Sequence, residues 1–319
     1  MTSPTSPTPY PTIAAIVPCH NEAIAIGKVV EDLRKHLPPD ATVYVYDNSS
    51  TDGTDEVARE AGAVVRYERN KGKGNVIRRA FADIDADVYL MIDGDDTYEV
   101  AAAPDMIAKL FEGPYDHVLG VRRQVADGAY RPGHDLGNRM FNRVVKQIFE
   151  VEVRDMLSGY RIFSRRFVKS FPAVSREFEI ETELTVHAAN LRVPQVEMEV
   201  DFRDRPEGAV SKLRTYRDGW KILALILHLA RVERPVLFHS VVAGVLALVG
   251  LVLGLPIFVE YFQTGLVPRL PTAVLASVVE LIALLVYFLG LQLSALKRLK
   301  DENMRLVYLT MDAVRRPQP

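Results

Sequence analysis

The sequence predicts an α/β protein built on a mostly parallel sheet with helices on both faces, followed by two membrane-spanning helices. Two observations carry this prediction. Short β-branched runs alternate with longer helical stretches from Thr12 onward, a pattern typical of parallel strands joined by right-handed crossovers. Near the C-terminus two runs exceed the ~20 apolar residues that a helix needs to cross a bilayer. A length of 319 residues fits two domains, or one domain with an appendage.

Composition excludes several classes of protein. A formal net charge of -2 argues against nucleic-acid binding. The single cysteine, Cys19, excludes an internal disulfide framework and a four-cysteine zinc site, and it favours a reducing compartment. We interpret Cys19, at the end of a strand, as a buried structural thiol rather than a nucleophile. Residues 1–11 are rich in Pro, Ser and Thr and lack signal-peptide features, so they are predicted to form a disordered leader.

The elements of the first domain are predicted in order along residues 12–212. The strands are TIAAIVP, ATVYVYD, AVVRYER and DVYLMID, and the helices between them are NEAIAIGKVVEDLRKHL, TDGTDEVAREAG and GKGNVIRRAFADI. The first helix places five apolar side chains on one face: Ile24, Val29, Val30, Leu33 and Leu37. Further on, a strand is predicted near HVLGVRR and helices around GNRMFNRVVKQIF and EIETELTVHAANL.

Two transmembrane helices are predicted at residues 235–259 and 271–296. The first run contains no formally charged side chain, and the second contains only Glu280. Basic residues flank both runs on their outer sides: Arg231, Arg234, Lys297, Arg298, Lys300 and Arg305. By the positive-inside rule, the large N-terminal domain and both termini are expected in the cytoplasm.

The segments around the spans have their own predictions. Residues 213–234, which contain Trp220, are predicted to form an amphipathic juxtamembrane helix along the cytoplasmic leaflet. Residues 297–319 are predicted to be a cytoplasmic C-terminal segment. A carboxyl group in hydrocarbon usually faces a protein partner or is protonated. We therefore hypothesise that Glu280 marks a helix-helix contact or a homo-oligomer contact.

Polar clusters directly follow three predicted strands, where α/β sheets bind ligands. They are Asn21-Glu22, Asp47-Asn48 and Asp93-Gly94-Asp95-Asp96. Adjacent aspartates repel one another, so a cation is expected beside them. Mg²⁺ takes one or two carboxylates and completes its shell with water and phosphate oxygens. The D-x-D spacing of Asp93 and Asp95 therefore suits a metal that bridges a diphosphate, with a solvated acidic loop or a calcium turn as the alternative.

Two basic segments could hold phosphate. In NKGKGNVIRRAF, Lys73 lies between two glycines at the head of a helix, which suits phosphate binding but also a flexible turn. The segment does not have the G-x-x-x-x-G-K-[ST] order of a P-loop, which argues against ATP hydrolysis. In FRDRPEGAVSKLRTY, Arg205 and Lys212 suit the phosphate of a lipid, although basic residues there also bind anionic headgroups.

Six motifs occur in an order that resembles a family 2 glycosyltransferase of GT-A fold, in the polyprenyl-phosphate (dolichol-phosphate) glycosyltransferase group. They are VPCHNE, YDNSSTDGT, NKGKGNVIR, DGDD, DMLSGYRIF and FRDRPEGAVSKL, and the resemblance covers nearly all of residues 12–296. It implies metal-dependent transfer of a hexose, with Mg²⁺ or Mn²⁺, from a nucleotide sugar to dolichyl or undecaprenyl phosphate at the cytoplasmic membrane face. UDP-glucose or UDP-N-acetylglucosamine is favoured as donor, and GDP-mannose is the alternative.

The resemblance also implies roles for single residues. Those implied to bind the nucleotide sugar are Pro18, Asn21, Glu22, Asp47, Lys73, Asp93, Gly94 and Asp95. The metal ligands would be Asp93 and Asp95. Those implied to be catalytic are Asp155, Arg161, Arg205 and Lys212. Those implied to bind the acceptor phosphate are Arg122, Arg139, Ser158, Arg205, Ser211 and Lys212.

The chain departs from the family pattern at two points. Many relatives carry paired aspartates where Tyr46 precedes Asp47 here, which leaves the preferred base open. The four-residue DGDD run leaves open whether Asp95 or Asp96 supplies the second metal contact, and spacing favours Asp95.

Two other functions fit the sequence less well. A processive polysaccharide synthase should carry a Q-x-x-R-W motif and more spans, but the only tryptophan is in YRDGW. A non-catalytic nucleotide-sugar-binding or scaffold subunit should have lost the aspartates or the basic segment, and the chain has both.

A lipid monophosphate is already anionic near neutral pH, so transfer to it needs no general base. Direct displacement would invert the anomeric carbon.

Overall fold

The computed structural model describes residues 11–124, 154–173, 180–203 and 230–314. The chain divides into two compact units. The first comprises Met1–Lys146, Val151–Arg214 and Asn303–Pro319, and the second comprises Gln147–Glu150 and Thr215–Glu302. The predicted helix GNRMFNRVVKQIF and most of the predicted juxtamembrane helix lie outside the described residues.

Seven strands and six helices are described between the first strand and the apolar C-terminal helices. The strands are β1 (Ile13–Cys19), β2 (Thr42–Asp47), β3 (Val64–Tyr67), β4 (Val88–Met91), β5 (His117–Gln124), β6 (Arg161–Ser164) and β7 (Gln195–Phe202). The helices are α1 (Ala23–His36), α2 (Thr54–Glu60), α3 (Lys73–Asp83), α4 (Ala103–Glu112), α5 (Arg165–Ser170) and α6 (Ile180–Leu191). A short 3₁₀ turn, Val100–Ala102, precedes α4.

The strands form one mixed sheet in the order β3-β2-β1-β4-β6-β5-β7. Neighbours β1 and β2, β2 and β3, β1 and β4, and β5 and β7 are parallel, whereas β6 is antiparallel to both β4 and β5. The prediction of a mostly parallel α/β sheet is confirmed. Because β1, β2 and β4 are parallel neighbours, their carboxyl ends lie along one edge of the sheet, where the predicted polar clusters follow.

Both faces of the sheet are covered by apolar side chains. Along β1, Ala15 and Val17 pack into one core with α1, α2 and α4, while Ala14 and Ile16 pack into the other with α3, α5 and α6. Burial on both faces explains why β1 and β4 read as nearly continuous apolar runs.

The predicted buried face of α1 is correct except at its start. Val29, Val30 and Leu33 are buried, but Ile24 is 64% exposed. Ala25 and Ile26 take the core positions one turn before Val29 and Val30, since residues four apart share a helix face. The prediction that the buried face begins at Ile24 is therefore wrong, and the face begins at Ala25 and Ile26.

The second unit contains two helices that are long and apolar enough to cross a membrane. They are α7 (Pro235–Thr264) and α8 (Leu270–Leu309), and α8 continues well past the predicted span. A Cβ added to Gly250 would lie 2.6 Å from Glu280 Oε1. Glu280 therefore lies at a contact between the two helices, as one of its two hypothesised roles requires. A homo-oligomer contact stays a prediction.

The last turns of α8 belong to the first unit. The Tyr308 hydroxyl donates a hydrogen bond of 2.6 Å to the carboxylate of Asp116, which is almost fully buried. Arg166 donates two bonds to the same carboxylate and lies over the Tyr308 ring, 4.6 Å from its centroid. Arg305 donates to the backbone carbonyl of Leu191 at 2.6 Å. These contacts join the end of α8 to the core behind the sheet.

Replacing Tyr308 with Phe is expected to destabilise the first unit by about 2 kcal/mol. The change removes a donor from a buried carboxylate, and hydrogen bonds to charged groups contribute about 1.5–3 kcal/mol. The measurement is thermal unfolding of the full chain in detergent. Tyr287→Phe is the matched control, because Tyr287 lies exposed on the same helix. Equal melting temperatures for the two variants would contradict the prediction.

Candidate functional site

The loops after β1 and β2 hold each other in place at the carboxyl edge of the sheet. Asn21 has a positive φ of 54°, and its Oδ1 accepts a hydrogen bond of 2.8 Å from the backbone amide of Thr51. In return, the backbone amide of Asn21 donates to Ser50 Oγ at 2.9 Å. Asn21 therefore fixes the turn that follows Asp47.

Asp47 has one carboxylate oxygen that accepts no hydrogen bond from the described residues. The residue is buried, and its Oδ2 accepts from the backbone amide of Ser50 at 3.1 Å. Its Oδ1 is also buried, and no donor reaches it from the described residues. An unsatisfied buried carboxylate oxygen is costly. A hydroxyl or N–H of a bound molecule would satisfy it.

Two other residues predicted at this edge, Pro18 and Glu22, lie on either side of the loop after β1. The backbone amide of Glu22 donates to Thr54 Oγ1 at 2.9 Å. The Glu22 carbonyl accepts the first backbone hydrogen bonds of α1, from the amides of Ala25 and Ile26. Pro18 lies in β1, in register with Tyr46 of β2. The structure thus brings Pro18, Glu22 and Asp47 to adjoining strand ends, as their positions in the sequence predicted.

Asn48 ties the end of β2 to the turn before α3. Its Nδ2 donates to the carbonyls of Glu68 and Asn70 at 2.7 and 2.8 Å, and its Oδ1 accepts from the amide of Gly72 at 2.7 Å. The side-chain amide of Asn48 thus bonds to the backbone of the turn through both its nitrogen and its oxygen. Asn48 therefore holds the loop that presents Lys73.

The three aspartates after β4 have three different surroundings. Asp93 has a side chain that is 29% exposed and accepts a hydrogen bond from Lys73 Nζ. Asp95 is buried, and its Oδ1 accepts from the hydroxyl of Thr97 at 2.6 Å. Asp96, with a φ of 55°, pairs with Lys28 at 2.7 Å. The repulsion expected from the sequence is thus relieved by separate partners.

Lys73 lies between two carboxylates. Its Nζ also lies 2.5 Å from Glu181 Oε1 of α6, and the side chains of Lys73 and Glu181 are only 10% and 5% exposed. Burial alone lowers the pKa of Lys73, but Asp93 and Glu181 outweigh it and raise that pKa above its ordinary value. Lys73 therefore keeps its positive charge near neutral pH.

Glu181 was not predicted as a site residue. Burial raises the pKa of its carboxyl group, and Lys73 opposes that shift. Its Oε2 is buried, with no hydrogen-bond partner among the described residues. The only signal in the sequence was an acidic residue near the head of the predicted helix EIETELTVHAANL.

A divalent cation fits this edge with help from substrate oxygens. No group of three or more His, Cys, Asp and Glu side chains that could hold a metal occurs within the described residues. Asp93 and Asp95 would supply the one or two carboxylates that Mg²⁺ prefers, and water and phosphate would complete the shell. A Cβ added to Gly159 would lie 2.3 Å from Asp93 Oδ2. The bare backbone of Gly159 thus leaves room for the Asp93 carboxylate.

Arg122 and Asp155 form a two-pronged ion pair near the end of β5. Arg122 Nε and Nη2 each lie 2.7 Å from an oxygen of Asp155, and the Arg122 amide donates to Oδ2 at 3.2 Å. Burial lowers the pKa of Arg122, but Asp155 more than offsets it, so the pKa rises above its ordinary value. The structure brings these two predicted residues together.

Arg161 and Ser158, also predicted as site residues, are fully buried. Arg161 Nε and Nη2 donate to the carbonyls of Ser158 and Met156 at 2.9 and 2.6 Å, and Nη1 donates to Thr185 Oγ1 at 2.9 Å. Burial lowers the pKa of Arg161 to about 10. In this conformation Arg161 supports the loop from Asp155 to Ser158 from behind.

The remaining predicted residues are Arg139, Arg205, Ser211 and Lys212, and they lie outside the described residues. The predicted acceptor-phosphate segment therefore has no structural account beyond Arg122 and Ser158.

Gly94 and Cys19 pack against each other behind the aspartates. A Cβ on Gly94 would lie 2.5 Å from Cys19 Sγ. Burial, followed by Glu22 and the aspartates Asp47, Asp93 and Asp95, raises the pKa of the Cys19 thiol well above its ordinary value. The thiol is therefore protonated near neutral pH, which agrees with the structural interpretation of Cys19.

We expect Cys19 to resist maleimide in the native protein at pH 8 and to react readily in denaturant. A buried thiol with a raised pKa presents almost no thiolate, the reactive form. Because Cys19 is the only cysteine, labelling followed by mass spectrometry reports on this site alone. Fast labelling of the native chain would contradict the prediction.

Comparison with known sequences identifies relatives of this chain. A sequence model of the family described as glycosyl transferase family 2 matches residues 14–171. Glycosyltransferase AglJ of Haloferax volcanii is 37% identical over 257 residues, covering 80% of this chain and 83% of that protein. A dolichyl-phosphate hexose transferase of the same organism is 26% identical and covers 70% of this chain and 96% of that protein.

Solved structures share the fold. Glucosyl-3-phosphoglycerate synthase from Mycobacterium tuberculosis, in complex with Mn²⁺, UDP-glucose and phosphoglyceric acid, aligns with a TM-score of 0.56 at 20% identity. The alignment covers 68% of this chain and 79% of that chain. The expected GT-A-like architecture is thereby confirmed. The matching sequence model and the 37% identity to AglJ show that this chain belongs to glycosyltransferase family 2.

Proposed function

We propose that this glycosyltransferase moves a hexose from a nucleotide sugar to a polyprenyl phosphate at the cytoplasmic face of a membrane, with inversion at the anomeric carbon. The favoured donor is UDP-glucose or UDP-N-acetylglucosamine, and the favoured acceptor is dolichyl or undecaprenyl phosphate. The observation that carries the proposal is the edge formed by Asp47, Lys73, Asp93 and Asp95, in a chain that also has two helices able to cross a membrane.

The donor half rests on complementary charges. Asp47 has a buried oxygen without a described partner, which suits a hydroxyl or N–H of a nucleoside. Lys73 is a fixed cation that suits the diphosphate. Asp93 and Asp95 would hold Mg²⁺ or Mn²⁺, and a relative in fold is known in complex with Mn²⁺ and UDP-glucose. When bound, the metal would supply charge stabilisation for the leaving nucleoside diphosphate.

The acceptor half rests on the chain's apolar helices and on a relative. Helices α7 and α8 would anchor the enzyme beside its lipid substrate. One relative is a dolichyl-phosphate hexose transferase. Arg205, Ser211 and Lys212 of the segment before α7 are proposed to bind the acceptor phosphate, together with Arg139 and Arg122.

The end of α8 supports the cytoplasmic placement of the active unit. Tyr308 and Arg305 follow the second apolar run and pack into the first unit. The end of α8 is therefore part of the first unit. Basic residues Lys297, Arg298 and Lys300 precede this point, and such residues favour the cytoplasmic side.

The chain's own residues need only position and neutralise the reactants. A lipid phosphate near neutral pH is already anionic, so no side chain has to remove a proton from it. Both oxygens of Asp155 are engaged by Arg122, which supports a positioning role for Asp155 rather than that of a base. Holding the attacking phosphate oxygen in line behind the anomeric carbon accounts for the remaining acceleration.

A mannosyltransferase that uses GDP-mannose is the alternative, since Tyr46 stands where many relatives carry an aspartate. The Tyr46 hydroxyl accepts from Arg66 Nη1 at 3.4 Å and donates to Asp83 Oδ2 at 3.5 Å. Tyr46 therefore supplies no carboxylate where those relatives carry one. A polysaccharide synthase or a non-catalytic subunit is a weaker alternative.

The deciding experiment incubates the full chain in membranes with polyprenyl phosphate and one labelled donor at a time. The donors are UDP-glucose, UDP-N-acetylglucosamine and GDP-mannose, and the products are identified by mass. We expect one hexose per lipid phosphate, in a β linkage from an α-linked donor, and only with divalent metal present. Long glycan products would favour a synthase, and no product with any donor would reject the proposal.

Replacing Gly159 with Ala is expected to weaken Mn²⁺ binding about tenfold or more with a small change in melting temperature. The new methyl group would meet Asp93 Oδ2 at 2.3 Å and displace the carboxylate, and supporting groups of metal ligands typically contribute about 10–100-fold to affinity. Mn²⁺ binding is measured by electron paramagnetic resonance in the presence of UDP. Gly244→Ala is the matched control, because nothing lies within 4 Å of its added Cβ. Unchanged binding by Gly159→Ala would remove Asp93 as a ligand.

A further inference from the structure

One side chain already provides a positive charge where the proposed metal would bind. Lys73 Nζ contacts an oxygen of Asp93, the more exposed of the two proposed metal carboxylates. The ammonium is almost completely enclosed and also lies 2.5 Å from Glu181 Oε1. A buried carboxylate therefore stands ready to retain this cation if Asp93 takes another partner.

We propose that Lys73 is a tethered cation that occupies Asp93 in competition with the divalent metal, and that Glu181 is the positioning residue that holds Lys73 when Asp93 turns to the metal. A nucleoside diphosphate would then complete the exchange by supplying phosphate oxygens to Lys73. This inference rests on the proposed function, because it assumes that metal and nucleoside diphosphate share the edge.

Electrostatics favours such an exchange over simultaneous binding. Two cations on one carboxylate repel each other strongly in a partly buried site. Without the diphosphate, the metal must displace Lys73 from Asp93 and leave it with Glu181 alone. With the diphosphate, Lys73 gains new anionic partners. The metal should therefore bind weakly by itself and much more tightly beside a nucleoside diphosphate, and the coupling must be reciprocal.

Glu181 has the geometry that the positioning role requires. It lies in the first turn of α6, its side chain is nearly buried, and one of its oxygens has no described hydrogen-bond partner. That second oxygen can accept from the ammonium group as it moves away from Asp93. A lysine whose only role was structural would need no spare acceptor and would not compete with a metal.

The test measures Mn²⁺ binding to the purified full chain in detergent, by electron paramagnetic resonance, without nucleotide and then with UDP or GDP. Lys73→Met should bind nucleotide-free Mn²⁺ about tenfold tighter than the unaltered chain, within the usual range of coupling between sites. The gain in Mn²⁺ affinity on adding the nucleotide should shrink by a similar factor. Glu181→Gln should act oppositely, because Lys73 then depends on Asp93 and releases it less readily.

Two further variants keep the outcome interpretable. The double variant Lys73→Met, Glu181→Gln leaves no buried carboxylate without its cation, and it should bind nucleotide-free Mn²⁺ as tightly as Lys73→Met. Lys28→Met is the matched control, because Lys28 pairs with Asp96 of the same loop. It should bind Mn²⁺ as the unaltered chain does.

The proposal is overturned if neither variant lacking Lys73 binds nucleotide-free Mn²⁺ more tightly than the unaltered chain. It is also overturned if Lys28→Met alone strengthens binding, since the competing cation would then be at Asp96. Sugar transfer is assayed separately with the unaltered chain. Transfer without the expected change in Mn²⁺ affinity would reject this inference and leave the proposed function standing.

Discussion

Asp93→Asn is expected to lower metal-dependent sugar transfer about a thousandfold while leaving the fold intact. Loss of one preorganised electrostatic contact commonly costs about 10²–10³ in rate, and this change also removes a metal ligand. The side chain is 29% exposed, and the substitution preserves its size. Lys73 retains Glu181 as a partner, so no buried cation is left unpaired. The measurements are initial rates at several Mn²⁺ concentrations and thermal unfolding.

Asp96→Asn is the matched control for that experiment. Asp96 belongs to the same acidic run, but its carboxylate pairs with Lys28, whose side chain is 52% exposed. Exposed ion pairs contribute about 0–1 kcal/mol, so transfer should fall by less than about tenfold. A severe loss in Asp96→Asn with normal activity in Asp93→Asn would exchange the two assignments. Metal-independent transfer by the unaltered chain would remove the metal altogether.

The sequence predicted the sheet edge well because the edge depends on local pattern. Apolar β-branched runs identified β1, β2 and β4, and the polar residues directly behind them had to converge once the strands were parallel. The clusters at Asn21, Asp47 and Asp93 were therefore found from their positions alone. The reversed strand β6 was not predicted, since its four residues carry no signal for direction.

Contacts between distant parts of the chain were beyond the sequence. Glu181 contacts Lys73, which lies 108 positions away in the sequence. The residues around either side chain give no signal that predicts this pair. Asn48 was identified only as part of a polar cluster after β2, and in the structure its side-chain amide bonds to the turn before α3. The catalytic role that the resemblance implies for Arg161 stays a prediction, and the structure buries its side chain. Spacing along the chain predicts which edge a residue reaches, whereas burial depends on what packs above it.

The same distinction separates the three aspartates after β4. By sequence they are equivalent like charges, and only the D-x-D spacing favoured Asp93 and Asp95. In the structure Asp95 is held by Thr97, Asp96 by Lys28, and Asp93 by Lys73. The cations that relieve their repulsion come from α1 and α3. A local acidic motif is thus stabilised by neighbours that the motif itself does not identify.

Arg122→Ala is expected to destabilise the first unit by about 3 kcal/mol and to reduce sugar transfer. The change leaves Asp155 mostly buried, at 12% side-chain exposure, without the guanidinium that binds both its oxygens. Breaking a buried pair on one side costs about 3–5 kcal/mol, and partial exposure of Arg122 places this pair at the lower end. Arg122→Lys should recover only part of the loss, because an ammonium cannot make the two parallel bonds.

A double-mutant cycle separates the ion pair from other effects. Asp155→Asn removes the charge that needs Arg122, so Arg122→Ala should cost less in that background, with a coupling of about 2 kcal/mol. Thermal unfolding of the four chains measures the coupling. Additive effects would show that the pair contributes little to stability.

If Asp155 positions Arg122 for the acceptor phosphate, Asp155→Asn should weaken lipid-phosphate binding and leave the dependence of the maximal rate on pH unchanged. If Asp155 instead removed a proton during transfer, its loss would abolish that dependence and the positioning role would be wrong.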